Sequence, residues 1–214
     1  WKLDGSRNGS ILRFLGDAGL LKEGKILRDL DMAQVNLSGA YLLAANLSWV
    51  NLRYADLSNA YLRYAHLSSA NLSDAILKNA NLSEVDLSWA NLSKTNLEGT
   101  NLSDANLYQS SLNYANLKNA NLSKADLQNA NLSRANLQNT SLFKARLYEA
   151  SLENADLRNA NLEEASLGEA WLAKANLKGA NLKNARYDQK TKWPDNFDPK
   201  KAGAVYEEWE EEEE

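Results

Sequence analysis

A chain of 214 residues with 24 Lys plus Arg, 28 Asp plus Glu and no cysteine has no material for a disulfide framework, a cysteine-ligated metal site or a thiolate nucleophile. Its wholly apolar runs are only a few residues long, short of the roughly 20 that span a bilayer, and no signal-peptide pattern opens it. We therefore expect a cytoplasmic chain with no membrane segment; because it opens on Trp1 rather than Met, an upstream targeting or signalling segment stays open.

Charge divides by region. Residues 1–34 sum to +1, residues 35–185 hold 13 basic and 13 acidic side chains, and residues 186–214 sum to −5. The acidity lies in the tail, chiefly Glu207, Glu208 and Glu210 to Glu214. Near the start, Ile11, Leu12, Phe14, Leu15 and Ala18 recur at helical spacing, with Asn8 or Ser10 as N-cap and Gly19 as stop. This predicts an N-terminal helical cap over residues 1–34, shielding the first layer of a stacked array downstream, since an open stack end is an aggregation template.

From Leu37 to Leu182 a leucine recurs every fifth residue, thirty times without a miss. The residue two before it is alanine in twenty-three cases; the exceptions are Val35, Val50, Val85, Thr95, Thr100, Ser110 and Thr140. A period of five fits neither the 3.6 of a helix nor the 2 of a plain strand. Each pentapeptide reads instead as a short extended side closed by a bend, with the leucine and the small residue on one face.

Turn chemistry counts the sides. The residue two after the leucine, taken every twenty positions, is Gly39, Asn59, Asn79, Gly99, Asn119, Asn139, Asn159 and Gly179, and Gly and Asn best tolerate positive φ. Four sides per layer result, about seven and a half layers in all, stacked at roughly 4.8 Å. The inward hydroxyls of Thr95, Thr100, Ser110 and Thr140 are expected to bond neighbouring turns, because an unpaired buried hydroxyl costs about 1–3 kcal/mol.

The motif, as in Ala70-Asn71-Leu72-Ser73-Asp74 or Ala120-Asn121-Leu122-Ser123-Lys124, resembles the pentapeptide-repeat family over about 150 residues. The resemblance implies an all-β solenoid, a right-handed quadrilateral β-helix with Leu and the small residue inward. The flanks, Asn8 to Leu21 and Thr191 to Ala204, are similar to those of cyanobacterial members. After Ala185 the register fails at Tyr187, and Trp193, Pro194 and Phe197 supply apolar bulk where the last layer needs a lid. Asp198 and Pro199 suit the N-cap and first position of a closing helix through Ala202, Ala204 and Val205, so residues 186–214 read as a helical cap and acidic tail.

Residues for chemistry are sparse. His66 is the only histidine, with Asn46 and Asp86 in its column, and Glu163 and Glu164 point to different sides; we expect no catalytic group, metal site or cofactor. Asn-Leu-Ser occurs eight times as a by-product of the repeat rather than as glycan acceptors. Without a phosphate loop or basic stripe, nucleic acid is not an expected partner. The outward signal is aromatic: Trp49, Trp89, Tyr108 and Tyr148 lie on the side that carries His66, and Tyr41 with Tyr61 forms a second column. Aromatics mark docking surfaces, although they also stabilise sheets in ladders.

These observations predict a non-catalytic, monomeric scaffold that docks an unidentified protein through Trp49, His66, Trp89, Tyr108 and Tyr148. The resemblance carries an alternative, a DNA-mimic modulator of a type II topoisomerase, which the neutral array disfavours. An enzyme and a designed repeat without function of its own are the remaining readings.

Overall fold

The computed structural model describes residues 31–208. The five-residue period becomes the side of a four-sided layer. From Asp31 through Arg186, residues ahead of each core position pair in parallel with the residue twenty further on, as in Asn36 with Asp56 and Tyr41 with Tyr61. We name the sides by their core residues: side A carries Leu37 to Leu177, side B Leu42 to Leu182, side C Leu47 to Leu167, and side D Met32 and Leu52 to Leu172. The leucines, with Met32 in their column, are buried, as are nearly all the small residues two positions earlier.

One pentapeptide explains the motif. In Ala120-Asn121-Leu122-Ser123-Lys124 the Ala120 N–H closes a turn onto the Leu117 carbonyl at 3.0 Å. The Asn121 N–H donates to Thr100 of the preceding layer, and the Leu122 and Lys124 N–H groups donate to Ser141 and Phe143 of the following one. That leaves the Ser123 N–H, which the Asn121 side chain accepts at 3.1 Å. Asn or Asp before the leucine therefore completes the backbone bonding of its own side, and Asn121 also donates through Nδ2 to Asn101 Oδ1, 3.2 Å away. Asn121→Ala is expected to cost about 0.5–1.5 kcal/mol in a urea melt, with Asn121→Asp recovering part of it, because the backbone acceptor is restored.

The corners correct one expectation about bends. The Gly and Asn column of side A does turn at positive φ, from +56° at Asn139 to +74° at Gly179. So do the other three corners, with Trp49 at +66°, Tyr54 at +59° and Lys124 at +60°. The bond from each fourth residue back to the leucine carbonyl, with positive φ at the third, is the type II turn pattern, repeated whatever the side chain. Local preference marks one corner; the stacking bonds impose the other three.

The inward hydroxyls find partners. Thr95, Thr100 and Thr140 donate to the turn carbonyls of Leu72, Leu77 and Leu117 in the preceding layer at 2.7–2.8 Å, while Ser110 bonds the Leu107 carbonyl of its own turn.

The C-terminal end departs from the predicted helix. Asp198 does cap a turn, accepting from Lys201 N–H at 3.1 Å, and Ala202 N–H reaches the Asp198 carbonyl at 3.2 Å. Gly203, at φ +94°, then ends the turn, and its carbonyl accepts from Asn184 N–H. The chain proceeds into a two-residue strand, β2 (Val205–Tyr206), parallel to β1 (Arg186–Tyr187). The last layer exposes a row of backbone donors and acceptors, and covering that edge with another strand satisfies them where a helix would not. Trp193, Phe197 and Ala202 pack on the core end, with Trp193 stacked on Phe197 at 5.3 Å and edge-on to Tyr187 at 5.4 Å. The predicted N-terminal helix lies outside the described residues.

Candidate functional site

Because the interior repeats almost identically in each layer, distinctive chemistry is confined to outward positions and to places where the register changes. Side C has both. The corner after its leucines carries Trp49, Ser69 and Trp89 in three successive layers, and the two indoles are 55% and 59% exposed. Tyr108, one layer beyond Trp89, meets it edge to face at 6.0 Å. A backbone bond of 2.9 Å from Trp89 N–H to the Tyr108 carbonyl ties the two layers together, so the ring pair rests on a rigid base.

His66 is exposed on the same side, in the ladder between Asn46 and Asp86. Tyr148 is half-buried and belongs to a different cluster. Its hydroxyl donates to Glu169 Oε1 at 2.6 Å; that hydrogen bond first, then burial, pushes the phenol up to about 12. Of the five residues singled out in the sequence, the structure thus joins Trp89 with Tyr108 and draws Tyr148 toward the C-terminal end.

There the register slips. Ser166 pairs with Arg186, twenty residues on, but Trp171 pairs with Lys192, twenty-one on. At the regular corner Glu149 N–H donates to the Gly168 carbonyl; one layer later Glu169 N–H meets the Asp188 carboxylate instead, at 3.0 and 3.1 Å. Asp188 is buried, 6% exposed, and also accepts from the Lys190 and Thr191 N–H groups. The Thr191 hydroxyl lies 2.9 Å from both Asp188 Oδ1 and the Leu167 carbonyl, repeating the role of the inward threonines one residue late. Burial pushes the Asp188 carboxyl up, but the bonds it accepts outweigh this and hold it below the ordinary carboxylate range. Gly168 leaves room here: a Cβ would come within 3.1 Å of Asp188 Oδ2 and 3.2 Å of Tyr148. Sequence reasoning missed this latch, since only the Asp-x-x-Thr spacing after the failed register hints at it.

Elsewhere several outward side chains pair with one another across layers. Arg53 and Arg63 lie over the rings of Tyr54 and Tyr64, 4.6 and 4.5 Å from their centroids, and reach Asp74 and Glu84 of the next layer. The exposed Tyr41 and Tyr61 lean on each other at 5.9 Å. Among the described residues no group of three or more metal-ligating side chains converges, and no helix is long and apolar enough to cross a membrane.

The family model for pentapeptide repeats matches in 8 copies between residues 31 and 186. Alr5209, a pentapeptide repeat protein from Nostoc, is 41% identical, with 48% of this chain and 84% of that one covered at a TM-score of 0.47. HetL, a Nostoc pentapeptide repeat protein involved in heterocyst differentiation regulation, is 31% identical over 80% of this chain and 94% of its own, with a TM-score of 0.29. QnrB1, a plasmid-mediated fluoroquinolone resistance protein, superposes in a trypsin-treated form with a TM-score of 0.72 over 80% of this chain and 88% of its own. At 15% identity that likeness shows the fold alone. No curated sequence matches the chain. The repeat model across residues 31–186 and the twenty-residue ladder beneath it lead to one conclusion: this chain belongs to the pentapeptide-repeat family, whose fold is a right-handed quadrilateral β-helix.

Proposed function

We propose that the chain is a non-catalytic scaffold that meets another protein through side C, at Trp49, Trp89 and Tyr108 with His66 and Tyr148 flanking them. The observation that carries this reading is the exposure of two indoles, 55% and 59%, on layers whose backbone bonding is already complete. Such anchors lose little conformational freedom on docking. The organisation that goes with it is a cap over 1–34, an array of about seven and a half layers over 35–185, and a closing segment over 186–214. A cysteine-free composition supports a reducing, cytoplasmic setting.

The topoisomerase reading calls for an acidic, DNA-like surface. Here acids and bases balance from 35 to 185, and opposite charges stand paired between layers, as in Lys78 with Glu98 and Lys183 with Glu163. The docking reading is tested by affinity capture from the source cell with wild type and with Trp49→Ala/Trp89→Ala. A protein retained by the first and lost by the second, at least tenfold by quantitative mass spectrometry, is the expected result. Equal capture by both contradicts the assignment of side C.

A further inference from the structure

The corner column on side C has a pitch as well as an exposure. Trp49, Ser69 and Trp89 succeed one another layer by layer, tied by Trp49 N–H to the Ser68 carbonyl at 3.0 Å and Ser69 N–H to the Ser88 carbonyl at 2.9 Å. Layers stack at about 4.8 Å, so the two indole-bearing corners stand about 9.6 Å apart. The small Ser69 forms a notch between them, and Tyr108 extends the apolar wall beyond Trp89. A polyproline II segment has three residues per turn at 3.1 Å each, or about 9.3 Å per turn, which matches this pitch. An extended β-strand returns to one face about every 6.6 Å, and an α-helix about every 5.4 Å or, between residues seven apart, about every 10.5 Å, each further from the corner spacing than polyproline II. Proline also brings no N–H in search of an acceptor, which suits a corner whose Ser68, Ser88 and Tyr108 carbonyls already accept from the ladder.

Charge selects among such segments. The cations of side C are engaged: Arg146 with Asp126, Lys190 with Glu169 and Arg186 with Glu207. Asp86 accepts only from neutral groups, the Ser88 N–H and hydroxyl and the Asn106 amide, and among the described residues neither it nor Glu149 faces a cation at ion-pair distance. Asp86 lies on the same pentapeptide side as Trp89, three residues before it, and Glu149 continues the tryptophan column.

We propose that the Trp49–Ser69–Trp89 corner docks a proline-rich segment of its protein partner in the polyproline II conformation, with an arginine or lysine of that segment meeting Asp86. This deepens the scaffold reading and rests on it. The test tracks the indole N–H signals of the full chain, labelled with ¹⁵N-tryptophan, during titration with a synthetic peptide of consecutive prolines flanked by arginines. The Trp49 and Trp89 signals are expected to move with saturation below millimolar peptide. Affinity is expected to fall at least tenfold in Trp49→Ala or Trp89→Ala and about threefold or more in Asp86→Asn. Alanine is tolerated at such a corner, since Ala44 holds the equivalent place at φ +55°, and an unchanged urea midpoint confirms folding. Three controls are an alanine-for-proline peptide, a glutamate-flanked peptide and a cello-oligosaccharide. The proposal is overturned if the indoles stay still, if any control binds as well, if the signals move by self-association alone, or if the variants bind unchanged. Capture of a partner that depends on both tryptophans, together with no response to the proline peptide, keeps the docking surface and removes the polyproline assignment.

Discussion

Leu107→Ala is expected to destabilise the array by about 2–5 kcal/mol, read as a lower urea midpoint at unchanged slope. Leu107 is fully buried in a central layer. Its truncation removes apolar contact with the layers on both sides, and neither can collapse into the gap, because the ladder bonds fix their separation. Ile76→Ala is the matched comparison. Ile76 points outward and is 43% exposed, so its loss is expected within about 0.5 kcal/mol. Equal costs at the two positions would contradict the inward assignment of the leucines.

Asp188→Ala is expected to release the C-terminal closing segment while leaving the central layers intact. The substitution strands the Glu169, Lys190 and Thr191 N–H groups; the buried Thr191 donor left without a partner costs about 1–3 kcal/mol, and the half-buried Glu169 and exposed Lys190 donors, open to water, cost less. Hydrogen exchange at Val205 and Glu207, whose N–H groups donate to the Ala185 and Tyr187 carbonyls, reads the release directly. Asp188→Asn keeps a side-chain oxygen without the charge and should fall between wild type and alanine. The pH dependence has a fixed sign. With the folded pKa depressed, the carboxylate's contribution is present above the ordinary carboxylate value of about 3.9 and is lost as pH falls through the lower folded value. Exchange at Val205 and Glu207 is therefore expected to rise, relative to the central layers, only below about pH 4. Unlatching at pH 6 would show that another group holds the segment.

Much of this architecture is legible in the residues because the repeat is uniform. A leucine at every fifth position has one way to be buried thirty times, and the inward threonines could be paired with turn carbonyls from their place in the motif alone. The corners were legible only at the Gly and Asn column. At Trp49 or Lys124 the side chain argues against positive φ, and the bonds between layers override it. The closing helix failed for a related reason: Asp198 and Pro199 do begin a turn, but the unpaired edge at β1 draws the chain into a strand after Gly203. At the candidate site, the columns of twenty correctly place Trp89 beside Tyr108. They could not show Tyr148 turning toward Glu169, because the one-residue slip that creates this cluster has no periodic signature.

The most direct test of the four-sided layer uses the absence of native cysteine. Ser103→Cys with Ser123→Cys places thiols twenty residues apart on adjacent layers of side B, where backbone separations near 4.8 Å suit a disulfide. Ser103→Cys with Lys118→Cys places them fifteen apart, as a triangular layer would require. Under mild oxidant, with mobility shift as the readout, a square layer requires rapid oxidation of the first pair and failure of the second. Cross-linking of the fifteen-residue pair, with the twenty-residue pair left reduced, would contradict four sides per layer.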